Sequence, residues 1–134
     1  LSETKTKLAM RQLLGALQHC HSKGVAHLDV KPENLLWDSK KSQLTLVDFG
    51  EARLMDSENQ INQNMSAGTA KYRPQYNSET NGTKVDTYAA GKTCEALLEK
   101  QGEIPPEAQT FIDQCLKGKI PIQTLLEEDP WLNS

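Results

Sequence analysis

Ala26-His27-Leu28-Asp29-Val30-Lys31-Pro32-Glu33-Asn34 is the stretch on which the reading of this chain turns, and Asp48-Phe49-Gly50 follows 14 positions after Asn34. Within six residues the first piece sets a carboxylate (Asp29), an ammonium (Lys31) and a carboxamide (Asn34). The second adds another carboxylate on a Gly-terminated turn. Asn34 and Asp48 offer only oxygen ligands, which is what Mg²⁺ prefers. Lys31 can meet a phosphate as a point charge, and Asp29 is left to accept a proton. Such an inventory suits phosphoryl transfer, where positioning and charge neutralisation supply most of the rate.

His27-Leu28-Asp29-Val30-Lys31-Pro32-Glu33-Asn34 resembles the catalytic loop of eukaryotic-type Ser/Thr protein kinases, and Asp48-Phe49-Gly50 resembles that family's metal-binding turn. A lone D-F-G recurs by chance; the loop block at the family's spacing from it is far more specific. The resemblance covers nearly all of residues 1–134, but only the family's large, C-terminal lobe. It implies a mainly α (α+β) fold with a short two-stranded hairpin beside the catalytic loop. It also implies ATP and Mg²⁺ as cofactors and a protein Ser or Thr as acceptor. Asp29 would be the catalytic base and Lys31 the γ-phosphoryl contact. Asn34 and Asp48 would hold the metal, and Leu36 would lie under the adenine ring. As a bare residue, Leu36 reads equally well as a plain core leucine.

Going backwards from the loop, Ser2 can cap a helix and Glu3 suits its first turn. Met10, Leu13, Leu14, Leu17 and Cys20 recur at spacings of three and four. Gly24 ends that helix as a residue tolerant of positive φ. The helix is a rigid post behind the loop. His19 and His21 near its end read as partly exposed imidazoles interacting with the helix dipole.

Going forwards, Leu35-Leu36-Trp37, a polar turn, and Leu44-Thr45-Leu46-Val47 read as a hairpin that delivers Asp48 to the loop. Met55 to Ser66 is polar apart from Ile61 and Met65 and reads as mobile. Ser57 and Ser66 there are conceivable phosphosites. Gly68-Thr69-Ala70-Lys71-Tyr72-Arg73-Pro74-Gln75 resembles the end of the family's activation segment, and Thr69 with Lys31 follows the Ser/Thr pattern. Val85 to Lys100 reads as a helix. Asp86 resembles the family's carboxylate that holds the catalytic-loop backbone; the plain reading is a solvated helix-start residue. A further helix starts after Pro105-Pro106, with Ala108, Phe111, Ile112, Cys115 and Leu116 on one face. A short last helix leads to Asp129-Pro130-Trp131-Leu132, with Trp131 packed on the core.

Three departures bear on function. A full kinase carries a small lobe with a Gly-rich loop, a strand Lys and a helix Glu, and none is present. The chain therefore reads as a piece needing a small lobe from its parent, and as inactive alone. Leu28 stands where the family's Arg meets a phosphorylated loop residue. Arg73-Pro74-Gln75 stands for A-P-E, and the family's partnering Arg is missing from Lys117 to Thr124. Losing both halves of a buried ion pair can be nearly neutral, whereas losing one costs roughly 3–5 kcal/mol. The Gly91–Pro105 span is also short for the family's substrate-side helix. The missing small lobe, Leu28 and the short Gly91–Pro105 span support an alternative: a kinase-derived, pseudokinase-like binding or scaffold module.

Composition frames these readings. With 37% hydrophobic and 25% charged residues the 134-residue chain is of the globular class. A net charge of −3 without a basic stripe argues against nucleic acid, and no apolar run approaches the roughly 18 residues of a membrane helix. Leu1 begins neither a signal core nor an initiating Met. Cys20, Cys94 and Cys115 form no C-x-x-C and read as buried thiols of a reduced, cytoplasmic protein.

Overall fold

The computed structural model describes residues 2–61, 70–72 and 81–134. Its first element, α1 (Glu3–Ser22), begins as its residues dictate: Ser2 is extended, and its Oγ accepts the Lys5 N–H at 3.2 Å. Met10, Leu13, Leu14 and Leu17 are fully buried along one face. Gly24, at φ 75°, turns the chain out of the helix. Two residues, β1 (Val25–Ala26), then lead into the loop.

A single 3₁₀ turn, Pro32–Asn34, is followed by β2 (Leu35–Asp38), which pairs antiparallel with β3 (Gln43–Leu46) in the register Leu35↔Leu46 and Leu36↔Thr45. The expected hairpin is present. Leu35, Trp37, Leu44 and Leu46 are half-buried, and Leu35, Leu44 and Leu46 pack on the main core. Gln12 of α1 clamps the hairpin, donating from Nε2 to Ser42 O and accepting the Leu44 N–H, both at 2.8 Å. A second antiparallel pair, β1 with β4 (Arg53–Leu54), was not anticipated; two-residue strands carry no periodicity to read.

The central helix is α2 (Gly82–Glu99), three residues longer at its start than the apolar pattern from Val85 suggests, because Asn81 caps it by accepting the Lys84 N–H. It packs on α1 and on α3 (Pro106–Lys117). Gly91 permits the close approach to α3: a Cβ there would sit 2.7 Å from Cys115 Cβ. With α4 (Ile122–Glu128) these helices enclose a core of Met10, Leu14, Leu98, Phe111, Ile112 and Trp131. Trp131 is buried as expected, with Nε1 donating to Glu3 Oε1. The architecture is mainly helical with short two-stranded ladders, as the sequence led us to expect. No helix among the described residues is long and apolar enough to cross a membrane. Ser66, Thr69 and Arg73-Pro74-Gln75 lie outside the described residues.

Candidate active site

The loop from His27 to Asn34 is held by a side chain of α2. Asp86 is fully buried, and its carboxylate accepts the His27 N–H at 2.9 Å and the Leu28 N–H at 2.8 Å. An ionised carboxylate accepting several N–H bonds is a strong organiser, since each is charge-assisted. Asp86 is thus no solvated helix-start residue. A third donor, His21 Nε2, lies 2.8 Å from its Oδ2. His21 stands half-buried in the last turn of α1, as expected, and in addition donates to the carboxylate that carries the loop. Nothing in the sequence alone pairs two residues 65 positions apart.

His27 links the loop to the Asp48 turn. Its Nε2 lies 2.9 Å from Val47 O, and its Nδ1 accepts the Asp29 N–H at 3.1 Å. A carbonyl only accepts, so the proton sits on Nε2. The ring meets Phe49 edge-on, with centroids 4.6 Å apart. The backbone of the two pieces is also joined directly, Val47 N–H donating to Asn34 O at 2.9 Å. Asp48 therefore follows immediately on a residue bonded to Asn34.

Asp29, Lys31 and Asn34 form one cluster. Asn34 is buried, and its Nδ2 donates to Asp29 O at 2.7 Å and to Asp29 Oδ2 at 3.2 Å. Lys31 Nζ lies 3.8 Å from Asp29 Oδ1. Both charged side chains are only partly exposed, 24% for Lys31 and 11% for Asp29. Asp48 is exposed, adopts φ 63°, and accepts the Gly50 N–H on Oδ1 at 3.3 Å. A left-handed Asp immediately after a strand-like run re-aims its carboxylate relative to the hairpin. Leu36 lies on the outward face of β2 and is 57% exposed, and Phe49 is 46% exposed. Leu36 is therefore not a plain core leucine.

The donor set fits Mg²⁺. Asn34 has its amide nitrogen committed to Asp29, which fixes the amide's orientation and leaves Oδ1 as the atom that could accept from a donor or a cation. Asp48 contributes a carboxylate. No group of three or more His, Cys, Asp or Glu suited to a metal occurs among the described residues. Mg²⁺ needs no such cage, being held by one or two side chains together with water and phosphate oxygens.

The protein kinase domain profile matches residues 1–122. The chain is 32% identical over 133 residues to calcium/calmodulin-dependent serine/threonine-protein kinase 1 of Oryza sativa subsp. japonica, covering 97% of this chain and 21% of that protein. It is 34% identical over 121 residues to CBL-interacting serine/threonine-protein kinase 20 of Arabidopsis thaliana, covering 87% and 27%. It is 33% identical over 115 residues to glycogen synthase kinase 1 of Pyricularia oryzae, covering 84% and 28%. The chain thus spans between a fifth and a third of the length of these relatives.

Proposed function

The chain belongs to the protein kinase domain family, and from that premise we propose that residues 1–134 are the large, C-terminal lobe of a Ser/Thr protein kinase that transfers the γ-phosphate of ATP to a protein hydroxyl. The observation that carries the reading is the Asp29–Lys31–Asn34 cluster, suspended from a buried Asp86 and bonded through Asn34 O to Val47, the residue before Asp48.

Each residue has a stated task. Asp29 orients the acceptor hydroxyl and takes its proton, a contribution of roughly 10²–10⁴ in rate. Asn34 steadies Asp29 through Nδ2. Lys31 meets the γ-phosphoryl as it moves. Asn34 Oδ1 and the Asp48 carboxylate would hold Mg²⁺, which when bound neutralises phosphate charge. Leu36, exposed on β2, supplies an apolar surface for the adenine ring. The other wall of the nucleotide site comes from a small lobe of the parent protein, and the isolated chain is inactive. No nucleic acid or membrane enters the scheme, and the setting is cytoplasmic.

The test is phosphate transfer to Ser/Thr peptides by the intact parent, with Asp29→Asn beside it. A loss of about 10²-fold or more in kcat is expected for the variant. Equal turnover would remove Asp29 from the mechanism. Nucleotide binding by the parent without transfer to any peptide would favour the scaffold reading, which Leu28 in place of Arg also supports.

A further inference from the structure

Leu28 sits in an unusual place for its side chain and its backbone. Among the described residues it is one of the few non-glycine residues at positive φ, 66°, a region in which an aliphatic residue with no polar atom gains nothing locally and is strained. Two restraints from different directions hold it there. Its N–H is bound by Asp86 Oδ1 at 2.8 Å. Its side chain is 3% exposed, within a second apolar cluster separate from the main core: Ala26, Leu28, Ile61 and Val85, with Met55 packed against them.

Two members of that cluster, Met55 and Ile61, belong to the stretch after Asp48 that reads from sequence as a mobile polar run. Up to Ile61 it is docked. β4 pairs with β1, Met55 N–H donates to Gly24 O, and Gly82 N–H donates to Asn59 O, both at 2.8 Å. Gln60 bridges to Asn81. Gly82 lies so close that a Cβ there would be 2.7 Å from Met55 Sδ. These ties are backbone or apolar.

We propose that Leu28 is a positioning residue: by burying its side chain against Ile61, Met55 and Val85, it makes the docking of residues 53–61 and the aim of Asp29 a single event that needs no phosphate. The mechanical link is one peptide long. If Ile61 and Met55 leave, Leu28 loses the burial that offsets its strained φ. A return to φ < 0 rotates the 28–29 peptide and swings Asp29 away from His27 Nδ1 and Asn34 Nδ2. The surroundings of the Leu28 side chain are apolar, from Ala26, Ile61, Val85 and Met55, and Leu28 brings no cation to the segment.

The kinetic consequence rests on the proposed phosphotransfer reading; the structural coupling does not. Amide hydrogen exchange on the protein, its Ile61→Ala variant and its Ile61→Leu variant separates the two. Ile61→Ala is expected to speed exchange at the His27 and Leu28 amides by about tenfold or more, with the Phe111–Cys115 amides of α3 unchanged. Ile61→Leu is expected to restore wild-type protection. Retained protection at His27 and Leu28 in Ile61→Ala would overturn the proposal, and so would equal acceleration in α3, which would make Ile61 a general support of the fold. In the intact parent, Ile61→Ala is expected to lower kcat while the nucleotide KM stays unchanged. A parent that transfers no phosphate would refute the proposed function while leaving the exchange result to decide the coupling.

Discussion

In an Asp86→Asn chain the anchor of the His27–Asn34 loop keeps one acceptor oxygen and exchanges the other for an NH₂ group. The wild-type carboxylate is fully buried and serves the His27 N–H, the Leu28 N–H and His21 Nε2 at 2.8–2.9 Å. The best orientation of the Asn amide places its oxygen between His27 N and His21 Nε2. The NH₂ then faces the Leu28 N–H, donor against donor. A buried N–H left unsatisfied costs about 1–3 kcal/mol. The two surviving bonds lose their charge assistance, about 1 kcal/mol each. A loss of about 4 kcal/mol follows, in line with the roughly 3–5 kcal/mol seen when one partner leaves a buried pair. Domains of this kind have only about 5–15 kcal/mol in total. Urea unfolding followed by the fluorescence of buried Trp131 reads it directly. With a slope of about 2 kcal/mol/M the midpoint falls by about 2 M. A shift worth less than about 1 kcal/mol would show that Asp86 does not carry the loop.

Two further outcomes are checked on the same chain. Cys94 and Cys115 are buried, and burial pushes both thiols far above the usual range; Cys20 is raised too, first by burial and then by the nearby Asp86 charge. Because the thiolate is the reactive form, a chromogenic disulfide reagent at pH 8 should leave Cys94 and Cys115 untouched until urea unfolds the chain; stoichiometric reaction of all three in the folded state would contradict their placement. Asp129 is buried, and burial raises its carboxyl above the usual value although the Leu132 and Trp131 N–H groups pull it partly back. A folded-state pKa above the unfolded one means that ionisation opposes folding, so the penalty is full above the raised value and disappears as pH falls below the unfolded value. Asp129→Asn, which keeps an acceptor for Leu132 N–H, should therefore gain on the wild type at neutral pH and lose that advantage near pH 3, measured by thermal melts. An advantage independent of pH would contradict this.

How much of this was legible in the sequence depended on how local its cause was. Ser2, the Met10–Leu17 spacing and Gly24 contain the whole of α1, because caps and a 3.6-residue period are local. The hairpin announced itself by a polar turn between apolar runs, and the spacing of Asp29, Asn34 and Asp48 marked out the candidate site. What escaped was held by distant partners. His21 gains its meaning only when α2 brings Asp86 to it. Met55 and Ile61 look like stray apolar residues in a polar run until Leu28 and Val85 are seen opposite them. Leu28 itself reads in the sequence as a missing Arg, and only the fold shows a pocket that an aliphatic side chain fills.

The central claim is that the Asp29–Asn34 loop and the Asp48 turn together seat a magnesium-bound triphosphate. Calorimetric titration of ATP into the intact parent, with and without Mg²⁺, and again for Asp48→Ala, tests it most directly. Mg²⁺ should tighten ATP binding in the wild type, and Asp48→Ala should abolish that tightening. ATP binding that is indifferent to both Mg²⁺ and Asp48 would contradict it.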